Sequence, residues 1–356
     1  MNILIVGKFY VEGFALHIAE TLDSMGHRVT RFEPGVKYRN LGGRTAKRWQ
    51  AAKSVLYSAS SQLPTFQRRQ TDALLRTVAN RQIDICIVCH DFLFPKQVAM
   101  LKSATHARVA LWFPDSIGRF DRSCFLNAEY GALFFKDPYI VRVLSDDLGK
   151  PVYYLPECCN PLRHKPAQIT AEDVRKYGCD IATAGNVYPY RVEFFSQLKE
   201  YNVRIWGNPP AMWLNTSGIE PMLQGQFVAN ADKAKAFGAA KIVLNNLHPA
   251  EIWGLNARAF EAAATGAFQF VNWRPGLSQL FDDGKELISF RSVGDLREKV
   301  DYYLPRDEER RAIALAASQR ALSEHTYARR LSLLLDTLTG DGTGFPMPNV
   351  VCDSAT

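Results

Sequence analysis

The chain has 356 residues, 47% of them apolar and 22% charged. That is the length of about two ordinary domains, and it excludes a single small module as well as a disordered or collagen-like chain. The formal charge is +7, from 43 Lys and Arg against 36 Asp and Glu, and the basic excess lies in residues 1–165, which carry +9 against −2 for the remainder.

The chain opens on a β-branched run, residues 2–7, that ends in Gly7 and reads as a buried parallel strand. Apolar residues then recur at helical spacing over 14–25, Gly26 closes that helix, and 29–32 reads as a second strand, which completes a βαβ opening. Residues 37–81 follow, with ten basic side chains from Lys37 to Arg81 against one acid, Asp72. This segment is predicted to be largely helical. It reads either as a solvated face or as a surface drawn to an anionic acceptor or to a membrane. No nucleic-acid motif accompanies the charge, so a nucleic-acid partner is not expected.

Further strands are predicted at 83–89, 108–113, 132–135 and 152–155, with a helix over 138–148. A polar, Pro-containing segment, 156–166, separates a second series of the same kind. Strands are predicted at 181–185, 203–207, 242–244, 267–271 and 287–290, and helices at 192–201, 256–264, 295–303 and 307–324. Ser292 and Asp295 have capping-box spacing. Residues 327–338 form a last amphipathic helix, and 339–356 read as a frayed tail. Alternating strands and helices in both halves predict two parallel, doubly wound sheets with the ligand in a cleft between them.

Seven scattered cysteines do not form a disulfide framework, and a reducing compartment follows. Cys86 and Cys89 lie in a strand, on opposite faces, where one zinc ion cannot use both. No run approaches the ~18 apolar residues of a membrane span and the chain starts on a strand rather than a leader, so a cytoplasmic protein is expected.

In such folds anions bind where strand ends face helix starts, because unpaired N–H groups point there. Residues 7–13 are one such place. They are not G-x-G-x-x-G, since five residues separate Gly7 from Gly13, and a nicotinamide-dependent oxidoreductase loses its main fingerprint. No Gly-Lys-Ser/Thr loop occurs either. The second place is Gly254, Leu255, Asn256 and Ala257, at the start of a helix carrying Arg258 and Glu261. A carboxylate just inside a phosphate-binding helix start can accept two hydrogen bonds from a ribose diol, although Glu261 can equally pair with Arg258 three residues back.

The stretch from Leu255 to Phe268, followed by Pro275-Gly276-Leu277, the run from Phe281 to Glu286 and the run from Glu324 to Arg330, resembles the C-terminal domain of the CgeB-like (spore maturation protein type) glycosyltransferases, which are similar to retaining GT-B enzymes of family 4. The runs from Asp180 to Arg191 and from Lys241 to Asn245 fit the same pattern. The likeness is close over about 180–330 and looser before that, where it rests on the opening βαβ unit, Gly26-His27-Arg28-Val29 and the run from Trp112 to Ser116. It implies a GT-B fold: an acceptor domain over 1–165, a nucleotide-sugar domain over 166–325, a helix over 326–339 packing back on the first domain, and a flexible tail over 340–356.

By the same resemblance Glu261 holds the ribose hydroxyls, Gly185 and Arg191 match a loop whose basic side chain contacts the diphosphate, and residues 254–257 match the helix start that faces it. Base contacts are expected near Gly207 and Phe227, and His248 lies ahead of the helix where it can approach the sugar. One departure is evident: related enzymes often have two glutamates seven residues apart, but Trp253 occupies the earlier position, with Glu251 two residues off register. That leaves a non-catalytic nucleotide-sugar or glycan binding module as an alternative. His90, Asp91 and Asp115, at strand ends of the first half, are the catalytic candidates; His90 also reads as a structural histidine and Asp115 as a turn cap. No Asp-x-Asp signature occurs, so neither a metal nor a cofactor is expected. A glycan, a lipid-linked molecule or a protein is the acceptor, with peripheral membrane contact through 37–81.

Overall fold

A computed structural model describes residues 1–35, 63–116, 123–340 and 342–349. The chain divides into two compact units, one of Met1–Leu155 with Arg330–Pro346 and one centred on Pro156–Arg329.

The first unit runs β1 (Asn2–Val6), α1 (Phe14–Ser24), β2 (Arg28–Phe32), α2 (Pro64–Val78), β3 (Ile85–Val88), α3 (Pro95–Thr105), β4 (Arg108–Phe113), β5 (Ala132–Phe135), α4 (Pro138–Leu148) and β6 (Val152–Tyr154). Its strands form one parallel sheet in the order β2-β1-β3-β4-β5-β6. Every residue of β3 and β5 is buried, as an all-parallel sheet covered on both faces requires. The order reverses between β1 and β3, and the loops after these strands diverge there. Gly7 is needed at that turn, because a Cβ would lie 2.4 Å from Cβ of Ala15 on α1.

The second unit contains α5 (Ala171–Tyr177), β7 (Cys179–Ala184), α6 (Pro189–Phe195), β8 (Val203–Trp206), α7 (Asn230–Gly238), β9 (Ala240–Asn245), α8 (Ala257–Ala264), β10 (Gln269–Asn272), α9 (Leu277–Leu280), β11 (Ile288–Phe290), α10 (Val293–Tyr303) and α11 (Asp307–Glu324). Its sheet is again parallel, in the order β11-β10-β9-β7-β8. The doubly wound α/β architecture expected from the sequence is present in both units. The last helix, α12 (Tyr327–Thr339), falls in the first unit from Arg330 on.

Several local expectations are corrected. The helix predicted at 192–201 is α6, seven residues long. Pro189 presets its first turn, and beyond Phe195 the chain closes i→i+3 turns, Leu198 N–H to Phe195 O at 3.0 Å and Tyr201 N–H to Leu198 O at 3.3 Å. Helices α3, α5, α7 and the four-residue α9 are additional. Of these, α5 has a sequence signature, the box in which Asp173 N–H donates to Thr170 Oγ1 and Thr170 N–H to Asp173 Oδ2. The tail is not frayed over 342–346: Phe345 N–H donates to Tyr154 O at 3.0 Å, its ring meets that of Tyr154 at 5.6 Å, and buried Arg330 lies over it at 4.5 Å. The basic segment is only partly described. Lys37, Arg39, Arg44, Lys47, Arg48 and Lys53 lie outside the described residues, while Arg68, Arg69 and Arg76 are exposed on α2. Among the described residues, no helix is long and apolar enough to cross a membrane.

Candidate functional site

In the second unit the chain leaves β7 for β8 on one side and returns to β9 on the other, so the loops after β7 and β9 part at the middle of the sheet. Such a reversal leaves a crevice at the carboxyl ends of the strands, the usual ligand position in open α/β sheets. Two glycines shape this end. Gly185 follows β7 with φ +131, a conformation that L side chains rarely adopt, and its N–H donates to Trp206 O at 2.8 Å. Gly207 follows β8 so closely that a Cβ would sit 2.3 Å from Gly185 O.

Two guanidinium groups converge on Gly185. A Cβ there would lie 2.5 Å from Arg258 Nη2 and 3.4 Å from Arg191 Nη1. Arg191, on α6, is 2% exposed; it donates to Asn186 O at 2.9 Å and to Thr183 Oγ1 at 2.8 Å, and its Nε has no protein acceptor. Arg258, in the first turn of α8, donates to Asn245 Oδ1 at 3.1 Å. All these acceptors are neutral. Burial, reinforced by the neighbouring Arg258 charge, pulls Arg191 down to about 9. Burial also lowers Arg258, with Glu261 opposing the shift. Two partly desolvated cations without a carboxylate acceptor between them are costly alone and favour an anion bearing several oxygens.

The start of α8 adds backbone donors. Asn256 is its N-cap and accepts from Ala259 N–H at 3.3 Å, while its amide exchanges hydrogen bonds of 2.9 and 3.1 Å with Asn245 at the end of β9. Gly254 and Leu255 are buried ahead of it, and Ala257 and Arg258 contribute first-turn N–H groups, which have no intrahelical acceptor. Glu261, one turn along, pairs with Lys233 of α7 at 3.0 Å and lies 3.9 Å from His164 Nε2. Its ion-pair partner is thus Lys233 rather than Arg258.

The other predicted positions surround these. The His248 ring lies 5.0 Å from that of Tyr188, just before α6, and its Nδ1 accepts from Ala250 N–H. Phe227 is half exposed, next to Gln226, whose carbonyl accepts from Gly207 N–H. Glu251 is buried. Sequence reasoning missed Lys233, His164, Asn245 and Thr183.

In the first unit His90 and Asp115 meet: His90 Nε2 lies 3.2 Å from Asp115 Oδ2, both are partly exposed, and the His90 ring packs 4.6 Å from that of Phe113. His90 has φ +105, outside the comfortable range of a residue with a Cβ. Asp91 instead turns inward and is 7% exposed, with Oδ2 accepting from Cys124 N–H at 3.0 Å.

Residues 191–336, which include Arg191, His248, Arg258 and Glu261, match a family described as glycosyl transferase-like. No curated protein matches the chain. Solved structures do. A glycosyltransferase from Rickettsia africae ESF-5 is similar at 15% identity and TM-score 0.64, with 95% of this chain and 97% of that one covered. Sucrose-phosphate synthase from Thermosynechococcus elongatus is similar at 10% identity and TM-score 0.65, covering 95% and 99%. Anabaena HepE in complex with UDP-glucose is similar at 12% identity and TM-score 0.64, again covering 95% and 99%. The fold is GT-B. The glycosyltransferase-like match falls on the part of this GT-B chain that holds the two guanidiniums and the α8 carboxylate.

Proposed function

We propose that the chain is a CgeB-like glycosyltransferase that moves a sugar from a nucleotide diphosphate sugar to an acceptor, with retention and without a metal ion. The observation that carries this reading is the convergence of Arg191 and Arg258 on Gly185, against the start of α8, with a carboxylate one turn further on. A diphosphate supplies the oxygens this arrangement lacks, and Glu261 suits a ribose diol. That HepE has been solved with UDP and with UDP-glucose supports a uridine or similar donor here.

When the bond between the sugar and the β-phosphate breaks, negative charge develops on the leaving diphosphate. Fixed guanidinium and N–H groups stabilise that charge without reorganising. The new bond forms to an acceptor oxygen, whose proton passes to the departing phosphate or to a protein base. His90 suits the second role. With Nε2–H donated to Asp115, its Nδ1 is an acceptor, and a strained backbone at such a position is characteristic of functional sites. Asp91 holds the loop at Cys124. The acceptor is a glycan, a lipid-linked molecule or a protein. The basic stretch 37–81 favours an anionic or membrane-bound one met from the cytoplasmic side.

Calorimetric titration with UDP-, GDP- and dTDP-sugars tests the reading: saturable binding of one of them is expected, weakened by about 1–3 kcal/mol in Glu261→Gln. Trp253, where related enzymes carry a glutamate, favours a second reading, a binding module without catalysis. Release of free nucleotide from the bound donor separates the two, since a pure binder releases none.

A further inference from the structure

Glu261 is held from two directions by groups that the donor-site reading does not itself require. Lys233 of α7 is 6% exposed, and its ammonium donates to Glu261 Oε2 at 3.0 Å. A buried ammonium opposite a half-buried carboxylate keeps that carboxylate ionised, and an ionised carboxylate only accepts hydrogen bonds. The second group is His164, 1% exposed. It closes a turn in which Asn160 N–H donates to His164 Nδ1 at 3.1 Å and His164 N–H donates to Asn160 O at 2.7 Å. With Nδ1 accepting, the ring proton resides on Nε2, and Nε2 lies 3.9 Å from Glu261 Oε1. Arg163 of the same turn donates to Asn230 Oδ1 at 2.8 Å, at the start of the helix that carries Lys233. The two groups that face Glu261 are therefore tied to each other as well.

We propose that Lys233 and His164 are positioning residues that lock Glu261 as a reader of ribose, so that the site selects ribonucleotide over 2′-deoxyribonucleotide donors. This rests on the donor-site reading above. A carboxylate fixed in direction and unable to donate demands hydroxyl donors from its ligand. Removing one hydroxyl takes away a donor that a carboxylate held in one direction cannot replace by turning, and sites built to hydrogen-bond a hydroxyl discriminate strongly against analogues that lack it. A carboxylate free to rotate would turn to whichever hydroxyl or water was present, and the discrimination would fade.

The test is calorimetry with matched pairs, UDP against 2′-deoxy-UDP and GDP against 2′-deoxy-GDP, on the full chain. The wild type is expected to bind the better ribonucleotide roughly tenfold or more tightly than its 2′-deoxy partner. In Lys233→Met and in His164→Phe that ratio is expected to fall toward one, with most of the loss on the ribonucleotide, while Lys233→Arg retains it. A purely structural role for the pair would weaken both members of each nucleotide pair equally and leave the ratio unchanged, which overturns the proposal. If Lys233→Met does not fold, His164→Phe and Lys233→Arg decide the question. A wild type that binds ribo and deoxy forms alike, yet loses affinity in Glu261→Gln, also overturns it while sparing the donor site. Absence of nucleotide binding altogether refutes the donor-site reading itself.

Discussion

Arg258 lies so close to Gly185 that a methyl group on the glycine would come within 2.5 Å of Nη2. The guanidinium and the loop after β7 therefore share one narrow volume, and the φ of +131 at Gly185 bars side chains independently of that contact. Gly185→Ala is expected to lower stability by about 1–3 kcal/mol and to abolish tight nucleotide binding. Denaturant unfolding and calorimetry on the same preparation check both. Unchanged affinity in a folded Gly185→Ala protein would argue that the anion sits elsewhere.

Arg191 gives the site a pH signature. Below about 9 the side chain is charged in the folded and unfolded chain alike, and its burial penalty is present in full. Above about 9 and up to the ordinary arginine range, the unfolded chain keeps a proton that the folded protein releases, so this group makes stability rise with pH across that window. Anion affinity moves the other way and falls as pH climbs past 9. Titrating UDP from pH 7 to 10 should show that loss in the wild type and not in Arg191→Gln; ionisation of the uracil is common to both proteins and cancels.

His90 offers a reversal of the usual order of stability. Glycine ordinarily costs stability relative to alanine, but at φ +105 His90→Gly is expected to be about 1 kcal/mol more stable than His90→Ala. Both should lose transfer and keep nucleotide binding, as should Asp115→Asn. Asp91→Ala removes a buried carboxylate that accepts from the Cys124 N–H and is expected to cost about 1–3 kcal/mol of stability. Thermal unfolding with a transfer assay separates the pair from the anchor, and an active His90→Ala enzyme would remove His90 from the chemistry.

Transfer is expected to persist in excess chelator, because two guanidiniums and the α8 start already oppose the leaving diphosphate's charge. Comparison of rates with EDTA and with added magnesium is the check, and loss of activity restored by magnesium would contradict it.

Much of this architecture was legible in the amino-acid order. The β-branched runs at Ile3–Val6 and Ile85–Val88 and the small-residue helix ending in Thr265 and Gly266 announce buried parallel strands and a helix lying close on a sheet. Arg191 and Glu261 became candidates by resemblance. Lys233 and His164 were not, because a lysine 28 positions before its carboxylate and a histidine in a polar turn have no local pattern; only the strand order and the packing of α7 beside β9 bring them together. The short α3 was missed because its inward face offers little beyond Val98 and Leu101.

The central claim is that a donor's diphosphate rests on Arg191, Arg258 and the first turn of α8. A crystal structure of the protein soaked with a non-hydrolysable UDP-sugar tests it most directly. Phosphate oxygens within hydrogen-bonding distance of both guanidiniums, with the ribose on Glu261, are the expected result; a saturated crystal with the nucleotide bound away from Gly185 would contradict it.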